Sequence, residues 1–459
     1  MQGAIERHLD EGSLTSRQLY IAVVALLGLF LDGYDLLILS GALLGIVPQF
    51  HLSPWQVGSL GTMAFAGMIV GSLIAGPLSD RFGRRPVFFA DMLLFAITAL
   101  LFSVVNSVVG LFILRFLVGV AIGADMPTSF AIVTEFVPKR NRGMLLAVGN
   151  GFWIGGAVVG GLVSLAAFAI VPPVEAWRWI LFSAIVPCVL VLVLRRNVPE
   201  TPRWLLAQGR DDEGAEVLRE TGHIGDVRAE TATPRVGRGL RFADLFQKGR
   251  LRTSLITMSL FWAIINFIGS GILLYTPTVI KTLLTPSAFT AIEFGVVINA
   301  LVVVANIVSS LWVIERFGRR VLAIVPSAII GLSLVAVALA SHNPYVVLIG
   351  FALTTILNSG LIVGTYYSWG SELFPTSVRG RALGISNAAG KFGSLLGVLQ
   401  FPILFAMSPA WSFLLLAALA FVDVIMLFLL APETRAVSLD ELEAAVPEQL
   451  PPAARVAQR

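Results

Sequence analysis

Twelve apolar runs follow one another along this chain, near residues 19–48, 55–79, 86–105, 108–133, 142–170, 178–195, 252–281, 288–314, 321–340, 344–370, 380–407 and 410–431. A helix needs about 20 mostly apolar residues to cross a bilayer. Inside lipid, only helices and closed barrels satisfy every backbone N–H and C=O. Runs of this length therefore demand a bundle of membrane-spanning helices. The chain is 56% hydrophobic and 13% charged, against roughly 25% charged in soluble domains, and a soluble core cannot absorb so much apolar surface. The expected fold class is all-α: a polytopic membrane protein with twelve transmembrane helices in two pseudo-symmetric six-helix halves.

Lys and Arg in short loops mark the cytoplasmic side of such a bundle. Of the 32 basic residues, Arg178 and Lys281 lie near the opposite face and Arg115 and Lys391 lie inside spans; the other 32 − 4 = 28 fall in the two tails and the loops after spans 2, 4, 6, 8 and 10. Both termini are thus expected in the cytoplasm, with the chain a multi-pass protein of the inner (plasma) membrane. The basic residues flank spans, so no nucleic-acid partner is expected. The first 18 residues lack the apolar core and cleavage site of a signal peptide. One cysteine, Cys188 in span 6, rules out an internal disulfide, and His8, His51, His223 and His342 share no spacing. No metal and no cofactor are expected. No nucleophile–base pair is apparent either, so the chain does not read as an enzyme.

The chain repeats itself. "RFGRR" occurs at Arg81–Arg85 and at Arg316–Arg320, an offset of 316 − 81 = 235 residues. Glu135, Pro138, Arg142, Gly143 and Asn150 return as Glu372, Pro375, Arg379, Gly380 and Asn387, each at 372 − 135 = 237. Two motifs at nearly one offset argue for duplicated six-span halves, which carriers arrange around a site near the membrane midplane. The division expected is 1–195 for the first half, 196–251 for a charged cytoplasmic linker, 252–435 for the second half and 436–459 for a cytoplasmic tail. Within the linker, "GRDDEGAEVLRE" has the pattern of a short surface helix.

"GSLIAGPLSDRFGRRPV" (Gly71–Val87) and its echo "ERFGRR" resemble the loop signature of the major facilitator superfamily. "GYDLLILSGAL" in span 1, Arg115 opening "RFLVGVAIGADMP", "WRW" at Trp177–Trp179, "PETPRWL" at Pro199–Leu205 and "PETRAVSLDEL" at Pro432–Leu442 resemble its sugar porter branch. The resemblance covers nearly the whole chain, and it implies secondary transport by alternating access. Sugar porters carry two glutamines and an asparagine ahead of a Tyr–x–Pro in span 7; counted back from Tyr275 and Pro277, those positions hold Ile264, Ile265 and Ser270. Each sugar hydroxyl buried without a partner costs about 1 to 3 kcal/mol, so the pocket reads as too apolar for a hexose. "DGYD" resembles the span 1 signature of aromatic acid:proton symporters, in which both aspartates are functional. Lys391 sits where nicotinate and organic anion carriers have an Arg, and Asp125 in "GADMP" resembles an acidic residue of the same carriers.

Charges inside spans are expensive and therefore functional candidates. Asp32 and Asp35, at i and i+3, project from nearly one helix face, which only the bundle interior tolerates. Two carboxylates there suit a site that takes a proton from one side and loses it on the other. Asp32 has a second reading, as a cap on a helix broken near Gly33. Arg115 reads as the counter-ion of Asp35, because a guanidinium does not deprotonate, or as an Arg snorkelling to the interface. Lys391, about eleven residues into span 11, reads as the ammonium that attracts an anionic substrate or as half of a structural pair. The candidate set for proton coupling is Asp32, Asp35, Arg115 and Asp125. For substrate contacts it is Lys391, Asn266 and Asn387 with the aromatics Tyr275, Tyr366, Tyr367, Trp369 and Trp262, which are suited to covering a flat ring.

At the helix ends, Asp80, Arg84, Arg85, Glu135 and Arg142 in the first half, and Glu315, Arg319, Arg320, Glu372 and Arg379 in the second, read as charge pairs that latch one conformation and part in the other. Gly67/Gly71, Gly119/Gly123, Gly151/Gly155 and Gly156/Gly160 have the small-xxx-small spacing of closely packed helices. "GISNAAGKFG" mimics a phosphate loop, but its spacing is one residue too long and Phe392 replaces the Ser/Thr, so the chain itself does not use ATP. The function expected is a proton-coupled symporter, acting as a monomer, that imports a small organic acid with aromatic carboxylates among the candidates. The alternatives are a sugar or polyol:proton symporter and a non-transporting membrane sensor.

Overall fold

A computed structural model describes residues 13–221, 245–246, 249–284, 287–309, 313–374 and 376–431. Among them no strand occurs, and twelve helical segments are long and apolar enough to cross a membrane. The first five are α1 (Ser16–Phe50), α2 (Pro54–Phe82), α3 (Arg84–Phe102), α4 (Val108–Phe136) and α5 (Lys139–Ile170). The sixth is broken into α6 (Pro173–Phe182) and α7 (Ile185–Arg195). Pro187 accounts for the break, since its ring excludes the carbonyl of Ser183 four residues back. Two short helices follow, α8 (Pro202–Ala207) and α9 (Asp211–Glu220), the latter within the charged linker stretch. Spans then resume with α10 (Arg250–Leu283) and α11 (Ala288–Val308), and after one turn, α12 (Ile314–Phe317), continue with α13 (Arg319–Leu339). The tenth span runs from α14 (Pro344–Thr355) through a π-helical segment, Ile356–Ile362, into α15 (Val363–Leu373). The chain of spans closes with α16 (Thr376–Met407) and α17 (Pro409–Leu430).

Local chemistry sets the ends. Thr15 and Ser53 each open a helix with a capping box, exchanging bonds with Gln18 and Gln56 three residues on, which satisfies donors that lipid cannot. In both RFGRR copies the glycine is the break between two helices, with φ 102° at Gly83 and 84° at Gly318. A side chain at Gly83 would also strike Glu200, whose carboxylate accepts from Arg84 N at 2.9 Å and Arg85 N at 3.1 Å. Glu200 of "PETPRWL" thus caps the N-terminus of α3, where a negative charge is favoured.

Helix α1 runs unbroken through Gly33, so Asp32 does not cap a broken helix. Gly33 instead admits the Trp153 carbonyl of α5, which a Cβ would meet at 1.8 Å. Helices α2 and α4 are locked reciprocally: a Cβ on Gly119 would lie 2.0 Å from Ala64 O, on Gly123 2.2 Å from Met68 O, on Gly67 2.1 Å from Phe116 O and on Gly71 2.1 Å from Val120 O. Gly156 seats α5 on α1 against Phe30 O, and Gly393 and Gly397 seat α16 on α10 against Ala263 O and Phe267 O. The packing of α1 on α5 thus recurs as that of α10 on α16. Gly151 and Gly155 depart from the expectation, since a Cβ there meets nothing within 4 Å; the small-xxx-small spacing gives no close approach where no helix faces it. Gly119→Val is expected to lower the melting temperature of the purified protein markedly, because the obstructing atom is backbone and the helices must part. Gly151→Ala should leave it unchanged; equal melting of the two variants would show that this contact does not hold α2 to α4.

Hydrogen bonds joining the first six spans to the last six lie, among the described residues, in the part of the bundle away from the RFGRR breaks. Ser40 Oγ donates to Leu274 O at 2.6 Å, Tyr275 Oη to Val57 O at 3.2 Å and Thr62 Oγ1 to Leu395 O at 3.4 Å. Gly58 against Leu399 and Gly161 against Val296 continue the same seam.

Candidate functional site

The buried charges gather at the middle of α1. Arg115 of α4 reaches Asp35 with Nη1 2.9 Å from Oδ1, at 1% and 5% side-chain exposure. Burial removes the snorkelling reading of Arg115. Asp32, 5% exposed, has Oδ1 without a hydrogen-bond partner among the described residues. The charged groups near it are Asp125, Lys391, Asp35 and Asp91. Lys391, on α16, is half-buried and its ammonium and the Asp32 carboxylate act on one another across the two sets of spans without closing an ion pair. A carboxylate from one half and an ammonium from the other thus share the centre of the bundle.

Around Lys391 the second half supplies a polar lane. Asn387 and Lys391, four residues apart on α16, share a helix face, and Asn387 is half-buried. Ser394, one turn on, donates to Asn266 Oδ1 at 3.3 Å and accepts from Ser270 at 2.7 Å, while Asn266 Nδ2 donates to Trp262 O. Trp262 lies over Gly390, next to Lys391, where a Cβ would meet its indole at 2.2 Å. Asn358, which the sequence reading missed, stands in the π-helical segment and donates to Ile265 O of α10 at 3.0 Å. π-bulges concentrate at functional positions, but "ILNSGLI" carries no proline or charge to announce one.

The aromatics divide. Tyr366 is fully buried and stacked on Trp262, with ring centroids 3.8 Å apart. Trp369 is buried against Phe261, and Tyr275 is buried, stacked on Phe401 and bonded to Val57. These three are taken up by packing and offer no free face in this conformation. Tyr367 is half-buried, edge-on to Trp262, and remains open to a ligand.

Asp125 does not face Lys391. It is wholly buried and binds Arg195 Nη2 at 2.5 Å, and the other Arg195 nitrogen binds Asp91 of α3 at 2.7 Å. Arg195, which its place in the sequence counts among the basic residues at the cytoplasmic ends of spans, is 1% exposed, and its guanidinium lies on the Phe88 ring. Position alone conceals this, because the residue stands at the very end of span 6. Cys188 is buried, and its thiol donates to Met92 O.

The helix-end charges pair within each half. Arg84 contacts Glu135 and Asp80, each at 3.3 Å, and Arg319 contacts Glu372 at 2.8 Å. Arg85 donates to Arg196 O and Arg320 to Phe428 O. Among the described residues these pairs join α3 to α4 and α13 to α15, each within one half. The side chains of Arg142, Glu315 and Arg379 lie outside the described residues, as does the "PETRAVSLDEL" stretch.

Twelve spans wrapped around a buried, partly paired set of charges are the build of a membrane carrier. The sequence matches the sugar (and other) transporter family over residues 21–446, and the chain belongs to that family of transporters. It is 29% identical to an arabinose–proton symporter of Bacillus subtilis (strain 168), over 92% of this chain and 94% of that protein. It is 26% identical to the niacin transporter NiaP of Acinetobacter baylyi, over 80% of this chain and 83% of that protein. The xylose transporter XylE from E. coli, in a partially occluded inward-open conformation, shares the fold with a TM-score of 0.76 at 23% identity, covering 92% of this chain and 100% of that chain. The chain is a multi-pass membrane protein.

Proposed function

We propose that this chain is a proton-coupled symporter that imports a small organic acid through a central cavity between its two halves. The observation that carries this reading is Lys391, an ammonium at the bundle centre that closes no salt bridge among the described residues and stands near the charge of Asp32. A cation held at the bundle centre favours an anionic guest, and Tyr367 with the Trp262 edge suits a ring beside it. The niacin-transporter relative supports an aromatic carboxylate. Asp35, paired with Arg115, is the coupling carboxylate: a proton on Asp35 releases the guanidinium, and loss of that proton re-forms the pair. The seam away from the RFGRR breaks is the periplasmic side, so the bundle opens toward the cytoplasm, where both termini lie. The pairs at Arg84 and Arg319 then serve as clamps that keep each half rigid while the halves rock.

A sugar or polyol:proton symporter is the second reading. The Asn266–Ser394–Ser270 chain and Asn358 favour it, since hydroxyl guests need such partners, and the arabinose–proton relative points the same way. Competition against transport by benzoate-like acids and by hexoses separates the two. Lys391→Ala is expected to weaken the affinity for anions by at least tenfold, while Lys391→Arg keeps part of it because charge survives with altered geometry. Unchanged anion affinity in Lys391→Ala, with hexoses competing, would replace the first reading by the second.

A further inference from the structure

Three buried residues have no part in the function above: Asp91 of α3, Asp125 of α4 and Arg195 of α7. Their exposures are 4%, 0% and 1%. Arg195 holds one oxygen of each carboxylate, donates to Phe88 O and rests on the Phe88 ring, and the Ser129 hydroxyl donates to Asp125 Oδ1 at 3.1 Å. The second oxygen of each aspartate, Oδ2, is buried and receives no donor among the described residues.

Counting charge decides what such a triad wants. Two carboxylates on one guanidinium leave a net charge of −1 sealed among apolar helices. An unpaired buried charge costs several kcal/mol, and a proton on either Oδ2 removes it. Like carboxylates that share a site titrate as a pair, so the proton belongs to both.

Position ties the triad to the central charges. Gly28 of α1 closes over the triad, since a Cβ there would sit 1.8 Å from Asp125 Oδ2 and 2.8 Å from Arg195 Nη2. Asp32 stands one turn further along the same helix, and its Oδ1 is likewise unpartnered among the described residues. The groups that act on the triad are Asp32 from α1 and Cys188 from α7, whose thiol is engaged by Met92 O; Asp35 and Lys391 act on Asp32. The triad lies between Asp32 and the end of the bundle that carries the RFGRR breaks.

We propose that Asp91, Asp125 and Arg195 form a second proton-binding site, separate from Asp35 and Arg115, that holds one proton shared between the two carboxylates. The proton comes from water and forms one O–H bond at Oδ2; its release restores the triad's net negative charge. The site depends only on this chain's own residues and stands whichever substrate is carried.

Infrared difference spectra of the purified protein in lipid, recorded between acidic and alkaline pH, test it without any substrate. The carboxylic acid C=O signal of one proton should vanish in Asp91→Asn and equally in Asp125→Asn, because either amide leaves a neutral triad. Persistence of the signal in both variants, or loss of two different signals, overturns the proposal. If either variant fails to fold, a lipid-soluble carbodiimide applied to the wild-type protein decides. Modification at Asp91 or Asp125 that declines as pH rises supports the site, and no modification at either residue overturns it.

Discussion

Asp35→Asn is expected to abolish accumulation of substrate driven by a pH gradient while leaving exchange of labelled for unlabelled substrate intact. The amide keeps the size of the carboxyl group and stands for its neutral, protonated form, so the two halves can rock with substrate bound. It cannot gain and lose a proton, so each turnover ceases to carry one. The effect is a loss of the whole gradient-driven component, because a carrier without its coupling group can only equilibrate. Proteoliposomes loaded at one pH and diluted into another measure both quantities in one preparation. If Asp35→Asn still concentrates substrate with proton uptake intact, coupling resides elsewhere, and Asp32 becomes the first candidate.

Arg195→Ala should cost more stability than any other single charge removal away from the central cavity. Breaking a buried pair by deleting one partner costs about 3 to 5 kcal/mol, since it leaves the other charge uncompensated, and here two carboxylates lose their cation together. The folded yield from membranes and the melting temperature of the purified protein both read this loss. Arg195→Lys should recover part of the stability, because it restores charge but reaches two carboxylates less well than a forked guanidinium. An Arg195→Ala protein that melts with the wild type would contradict the buried triad.

Of the site, the sequence exposed those members whose local setting is anomalous. Asp32, Asp35, Arg115 and Lys391 stand out because each is a charge within an apolar run, and the only way to keep it there is to turn it inward. Asp91 and Arg195 escaped attention for the converse reason: each stands near an end of its span, where a charge has an ordinary explanation in the interface. The same limit applies to the aromatics. Tyr366 and Tyr367 are adjacent in the chain and chemically identical, yet one is buried under Trp262 and the other half-exposed.

What the sequence by itself determined is the part governed by local rules. Hydropathy and the backbone's need for internal hydrogen bonds in lipid dictate twelve helices, and the repeated glycine of RFGRR dictates where two of them break, because its positive φ favours glycine. What only the tertiary structure decided is which side chains meet. That Asp35 finds Arg115 80 residues away, that Asp125 turns to Arg195 rather than to Lys391, and that Gly119 is pressed against a carbonyl while Gly151 faces open space all depend on how each helix is rotated about its axis. Rotation is set by the summed packing of every neighbour at once. No stretch of sequence carries that sum.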